Sequence, residues 1–382
     1  MTWLDYVNQQ FDRAANVTAV SPFRVWGAMA IVLATVVTLG FVRLLGLSPA
    51  LVLLLLAVNL PAAFALGMVV KVVTGGERHT HYHYEIAVAV ITIITLRTLG
   101  QPVLPYLDVI VVGKGVLLAI GRLGCFMTGC CHGRPSGVGV CYRHVKTGFA
   151  RHYIGVRLFP VQLIESSVVW LLTGLCGYLL LSAARPGTAL SVYVVGYGAA
   201  RFFIEFLRGD PQRPYFRSFS EAQWTAVLLL GLITALQYAS VLPFHAAHVI
   251  VASGVLLTML MLSLRRSLWQ TEHKLVTPRH VAEVAKAFEV VSRAAPEKIA
   301  TARTSQGVQV SGSNVRTATA LINHYSLSQR DGEMSEQTAR FLLRLVPRLA
   351  PELVHSTKVV NRNRKVFHLL RTVRKTTESK YE

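Results

Sequence analysis

Three short segments of this 382-residue chain hold most of the residues able to do chemistry. The first runs from Thr74 to Glu85, where His79, His81 and His83 alternate with Thr80 and Tyr82 just ahead of an apolar stretch. Alternating imidazoles face one way on a strand and can shuttle protons or ligate a metal. His and Tyr at this position can equally anchor a membrane span at the headgroup level. The second segment, Gly121 to Gly133, reads GRLGCFMTGCCHG. Its glycines allow close backbone approach to a ligand, and Arg122 offers a planar fork of donors matched to phosphate or carboxylate. Cys125, Cys130 and Cys131 add nucleophilic or ligating thiols. The spacing C-x4-C-C-H fits zinc or iron–sulfur sites poorly, so small buried thiols are the simpler reading and no metal or cofactor is expected. The third segment runs from Tyr197 to Asp210. On a helix Tyr197, Arg201, Glu205 and Arg208 share one face. Such a charged stripe must turn toward a bundle or a water-filled cavity. It serves either to lock the helix through an Arg–Glu pair or to hold an anion. Few acids lie near Arg122 and Arg201 in sequence, which favours the anion.

The elements that carry these segments are membrane-like. Hydrophobic residues make up 52% of the chain and charged residues only 15%, with a formal net charge of +20. Soluble domains carry about 25% charged residues, so an ordinary soluble globule is excluded. The charge divides unevenly. Residues 1–264 hold 18 Lys+Arg and 9 Asp+Glu, whereas residues 265–382 hold 21 and 10 in less than half the length. The expected organisation is therefore a transmembrane domain over 1–264 and a small basic α/β or α region over 265–382. Uncharged runs long enough to cross a bilayer span Val25–Val42, Leu44–Val70, Ser166–Ala184 and Pro186–Ala200, and Ala222–Leu264 is long enough for two helices that break near Pro243. Weaker segments at Tyr84–Leu99 and Pro102–Gly121 carry Glu85, Asp108 and Lys114. The fold class expected is an all-α polytopic membrane protein of seven or eight spans. The tail should contain helices near Pro278–Ala294 and Ser335–Leu349, with a strand-like stretch at Gly307–Val315 between them. Its basic end suits anionic lipid headgroups, and no nucleic-acid motif is present.

Five motifs follow in order: Asp108, then the Gly121-Arg122 segment through Gly133, then Pro160-x-Gln162-Leu163-x-Glu165, then Tyr197 to Asp210, then Ser220-x-x-Gln223. Their order and internal spacing resemble those of the bacterial prolipoprotein diacylglyceryl transferase family. The chain looks like a divergent member with a Cys-rich signature and an added basic C-terminal region. The resemblance implies a multi-pass protein of the bacterial inner membrane. Its partners would be phosphatidylglycerol, a lipobox-containing precursor or another thiol acceptor, and membrane lipids. It implies transfer of a diacylglyceryl group from phosphatidylglycerol to a cysteine thiol, in lipoprotein biosynthesis. It gives Arg122 and Arg201 headgroup contacts, Glu205 the support of Arg201, and His81 or His83 the general base. Arg208, Tyr197, Asp108, Cys125, Cys130 and Gly133 join the expected substrate-binding set. The family carries Asn at the position of Cys125 and an acid at that of Cys130, so its phospholipid half transfers here more fully than its acceptor half. The rival class is a non-catalytic, thiol-redox or metal-binding membrane protein on the same fold. Eight spans put all three segments and the tail on one side, which the distribution of Lys and Arg would place in the cytoplasm. Seven would leave an outward site, as in the family, with a cytoplasmic tail.

Overall fold

A computed structural model describes residues 3, 5–6, 22–74, 81–143, 149–268, 270–293, 298–316, 320–329, 334–346, 355–362 and 366–374. His79, the loop around Lys146 and the residues after Arg374 lie outside that set, as does the side chain of His81.

Among the described residues eight long helices make the apolar part: α1 Pro22–Leu44, α2 Pro49–Thr74, α3 His81–Thr98, α4 Val103–Thr128, α5 Val161–Leu181, α6 Thr188–Ile204, α7 Glu221–Tyr238 and α8 Ala246–Leu268. Helices suit these sequences because, in a bilayer, only a structure that satisfies its own backbone hydrogen bonds can span. Six are long and apolar enough to cross, and this is a multi-pass membrane protein. The other two, α3 and α7, have 18 residues each and begin with polar turns carrying His81, His83 and Glu85, or Glu221 and Gln223. The long uncharged run breaks between α7 and α8 at residues 239–245, as Pro243 suggested. Helix α4 is the axis of the bundle. Of its most apolar window 61% is buried, against 11% for α2, which shows its side chains outward.

With eight helices joined mostly by short turns, the His81 end of α3, the exit of α4, the loop after α6 and the tail all emerge at one end. Contacts confirm the placement: Arg266 donates to the Ser218 carbonyl at 2.7 Å, and the tail packs on the loop that follows α4.

Short strands β1 Pro135–Cys141 and β2 Arg157–Leu158 pair in the loop after α4, and β3 Tyr215–Phe216 and β4 Phe219–Ser220 pair in the loop after α6. The tail continues through α9 Gln270–Leu275 and α10 Pro278–Ser292 into strands β5 Ala300–Arg303, β6 Val308–Arg316, β7 Ala320–Gln329, β8 His355–Arg362 and β9 Val366–Arg374, with α11 Glu336–Leu343 between β7 and β8. The five strands form one antiparallel sheet in the order β5-β6-β7-β9-β8. Both expected helices and the expected strand are present, in an α/β tail. Helix α10 buries Val281, Val284, Ala285, Phe288 and Val291, a three-and-four repeat that gives one apolar face. That face does not close a separate core. Val281, Phe288 and Leu327 belong to one buried cluster with Phe126, Tyr142 and Tyr153 from the other side of residue 264.

Candidate active site

Glu165, from the first turns of α5, is completely buried where three elements meet. Arg122 of α4 approaches its Oε1 through Nη2 at 2.9 Å, and Arg201 of α6 its Oε2 through Nη1 at 3.1 Å. The Tyr197 hydroxyl donates to Oε1 at 2.8 Å, and Arg208 Nη1 lies 3.7 Å from Oε2. Neither arginine is therefore unmatched, as the local sequence suggested; their partner comes from a third helix, 43 and 36 residues away. In the sequence Glu165 closes the Pro160–Glu165 motif, and an acid ahead of an apolar run does not by itself mark a role.

Tyr197, Arg201 and Glu205 do share a face, and Arg201 Nη2 reaches Glu205 Oε2 at 3.1 Å. The α-helix stops at Ile204 and tightens into a 3-10 turn over Glu205–Leu207, after which Arg208 is extended. Arg208 then makes a two-pronged pair with Asp210, at 2.8 and 3.2 Å. Burial alone would raise the Asp210 carboxyl, but Arg208 and Arg213 hold it well below the usual carboxylate range. Arg213 also contacts Glu205. Gly133 has a structural reason to be Gly. Its Cβ would sit 2.4 Å from the Phe159 carbonyl, in a crossing where Arg134 N donates to Leu207 O and Gly209 N to His132 O. That crossing fixes where Arg208 leaves its helix. Ser220 and Gln223 form a capping box on α7, and the Gln223 amide donates to Phe202 O at 3.2 Å.

A cavity of about 870 Å³ opens beside this cluster. Seven Lys or Arg side chains line it against two acids, Glu205 and Asp210, so its field favours an anion. Among the described residues buried Arg122 Nε has no hydrogen-bond partner, and the Arg122 side chain is on the cavity wall where an oxyanion could meet it. A second, mainly apolar groove of about 160 Å³ shares Tyr82 with the cavity and runs between α3, α4, α6 and α7 past Ile86, Val111 and Leu229. The pair of Lys114 and Glu85 lies on its wall.

The other expected residues divide. From residue 81 onward the chain is helical, not extended, so alternate residues do not share a face, and Tyr82 occupies the inward one. Tyr82 lines both cavities and lies 6.3 Å from the Tyr197 ring, a site residue that the reading of the histidines passed over. His83 is half exposed and pairs with Glu221 at 2.6 Å. Among the described residues the imidazole on the large cavity's wall is His273 of α9, in the tail. Burial, with Arg266 and Arg134 nearby, lowers its pKa and keeps it neutral. Asp108 is not brought to the site. It lies 14 residues before Arg122 on α4, about 21 Å along the axis, where it accepts from Gly187 N at 2.5 Å and Leu190 N at 2.7 Å and caps α6.

The thiols of Cys125, Cys130 and Cys131 converge although their spacing looked unsuitable: their sulfurs all lie within 4.8 Å of one another. The Thr128 hydroxyl donates to Cys130 Sγ at 3.3 Å, and Gln162 holds the Cys130 carbonyl at 2.8 Å. Hydrogen bonds from Cys125 and Cys130 pull the Cys131 thiol well below its usual range, against burial, and Arg208 and Arg122 add to the effect. Cys131 lines the large cavity.

Comparison with known proteins now adds to the geometry. Residues 81–239 match the prolipoprotein diacylglyceryl transferase family. The matched stretch holds Arg122, the three thiols, Glu165 and the Tyr197–Asp210 face, and stops short of the tail. A phosphatidylglycerol–prolipoprotein diacylglyceryl transferase from Clostridium tetani is 34% identical over 110 residues, covering 29% of this chain and 43% of that relative. A second transferase of that name from Clostridium perfringens is 34% identical over 116 residues, 29% of this chain and 42% of the relative. One from Agrobacterium fabrum is 30% identical over 165 residues, 41% and 56% respectively. The chain thus spans about half the length of the curated relatives it matches.

Proposed function

We propose that this protein is a diacylglyceryl transferase of the bacterial inner membrane that consumes phosphatidylglycerol and alkylates a cysteine thiol. The observation that carries the reading is the convergence of Arg122, Arg201 and Arg208 on buried Glu165 beside a cationic cavity whose wall Arg122 and Arg201 form. Moving a diacylglyceryl group breaks a carbon–oxygen bond to phosphate, and negative charge grows on the departing glycerol phosphate. Fixed guanidinium groups in a water-poor site stabilise that charge without reorganising. Glu165 holds their forks, and Tyr197 completes its acceptor set. The apolar groove that meets the cavity at Tyr82 suits an acyl chain, so the glyceryl carbon of a bound phospholipid would sit where the two spaces join.

The acceptor sulfur attacks that carbon, the carbon–oxygen bond breaks, and glycerol phosphate leaves with the bonding electrons. The thiol proton passes to an imidazole. Of His81, His83 and His273, we assign the role to His273, because it is neutral and on the cavity wall. The acceptor is a lipobox-containing precursor. Residues 265–382 then form a cytoplasmic or external cap that helps wall the site and supplies His273, while residues 1–264 carry the arginine cluster that meets the phosphate. Purified protein incubated with labelled phosphatidylglycerol and a lipobox peptide should release glycerol phosphate and label the peptide in equal amounts. Release without peptide labelling would reassign the acceptor, and neither product would refute the reading.

A further inference from the structure

The cluster of Cys125, Cys130 and Cys131 has no part in the phosphate chemistry above. Its geometry depends on backbone conformations that cost energy. Helix α4 ends in Gly129 at φ 77°, whose N–H returns to Phe126 O, and two residues later Cys131 is also left-handed at φ 54°. A residue with a Cβ adopts that conformation only against a steric cost. Two left-handed residues in three reverse the chain, so that Cys130 and Cys131 fold back over Cys125, one turn earlier on the helix. Strained residues of this sort gather at ligand clamps.

We propose that Cys125, Cys130 and Cys131 bind one Zn²⁺ ion as thiolates, leaving its fourth position open toward the large cavity. Zn–S bonds of about 2.3 Å in tetrahedral geometry put the sulfurs about 3.8 Å apart. The three lie within 4.8 Å, so a small contraction closes the set. Three sulfur ligands select a borderline-soft ion over Mg²⁺ or Ca²⁺, which take oxygen donors. The nearest imidazole in sequence, His132, is turned away: its Nδ1 meets the Gly133 carbonyl and its ring packs on Tyr153. Among the described residues no carboxylate or imidazole joins the group, so three protein ligands and one vacant position remain, the pattern of catalytic rather than structural zinc. A Zn²⁺ with three thiolates carries one net negative charge, which the surrounding arginine excess neutralises. Cys131 is the ligand on the cavity wall, so the vacancy faces the space in which the acceptor thiol arrives.

The identity of the fourth ligand rests on the transfer reading above; the metal site does not. The acceptor thiol gives its proton to His273, its sulfur takes the vacant position as a thiolate, and that sulfur then attacks the glyceryl carbon as glycerol phosphate departs. The two Cys at positions where the family has Asn and an acid thereby acquire a use.

The test uses the full chain in mild detergent, loaded with Zn²⁺ alone and passed over a weak chelating resin, with metal measured by mass spectrometry. Wild type and Cys141→Ser should retain one Zn²⁺ per chain, and Cys130→Ser and Cys131→Ser less than a tenth of that, all four eluting as monodisperse protein. A monodisperse wild type that retains none, or serine variants that retain as much as wild type, would overturn the site. In Co²⁺-substituted protein the visible spectrum should shift on addition of a lipobox cysteine peptide but not its serine analogue; no shift would overturn the open position. A shift without diacylglyceryl transfer would refute the transfer reading and leave the metal site standing.

Discussion

Glu165→Gln is the perturbation whose cost follows most directly from the structure. The substitution keeps the shape of the side chain and removes the charge that holds Arg122 at 2.9 Å and Arg201 at 3.1 Å, with Arg208 at 3.7 Å. The new amide also turns an N–H toward one guanidinium. Breaking a buried ion pair by neutralising one partner costs about 3–5 kcal/mol, because the remaining charge stays buried. A loss of that size lowers the unfolding temperature of a chain this long by roughly 4–6 °C. A bound phosphate group can partly replace the lost charge, and a ligand at about 100 times its Kd adds about 2.7 kcal/mol. Thermal unfolding in detergent, followed by intrinsic fluorescence with and without glycerol phosphate, reads both effects. The variant should melt lower than wild type and regain more stability from glycerol phosphate than wild type does. Equal melting temperatures, or equal gains, would refute the claim that Glu165 is the counter-ion of an anion-accepting arginine cluster.

Four further outcomes are expected. Arg201→Lys, which keeps charge but loses the fork between Glu165 and Glu205, should lower the transfer rate by about 10²–10³ while unfolding changes less than in Glu165→Gln. Asp108→Asn should reduce stability by about 0.5–2 kcal/mol as a weakened helix cap and leave the KM for phosphatidylglycerol unchanged, measured by unfolding and steady-state kinetics. For Asp210, folding depresses the pKa, so its stabilisation is full above the unfolded value near 3.8 and is lost as pH falls through the lower folded value. The stability difference between wild type and Asp210→Asn should therefore be flat from about pH 5 to 8 and shrink only in stronger acid. Reporters fused after Lys380 and inserted near Lys146 should report the same side of the membrane, because the tail and the loop after α4 share a core; opposite sides would contradict the eight-helix arrangement.

How much of this was legible depended on how local the signal was. Membrane helices announce themselves by apolar length, and the break near Pro243 was readable because no single span needs 43 residues. The face of Tyr197, Arg201 and Glu205 was readable because helical periodicity is local. Glu165 was not assignable, since its partners are 32 to 43 residues away and only tertiary packing brings them in. The convergence of the three thiols was not legible from spacing because two left-handed residues compress C-x4-C-C in a way that spacing rules do not encode. His81 and His83 attracted notice over Tyr82 because titratable side chains are conspicuous, whereas the helix turns Tyr82 inward. In the tail, β7, β8 and β9 escaped because their polar faces interrupt the apolar alternation: β7 buries Asn323 along with Tyr325 and Leu327.

The central claim is that Arg122 and its neighbours accept the phosphate of a phospholipid as it leaves. The most direct measurement is a single-turnover reaction of purified wild type and Arg122→Ala with labelled phosphatidylglycerol and a lipobox peptide, with glycerol phosphate release and peptide labelling quantified together. Both should fall in parallel by about 10²-fold or more in the variant, while the protein remains folded. Undiminished release and labelling by Arg122→Ala would contradict that claim.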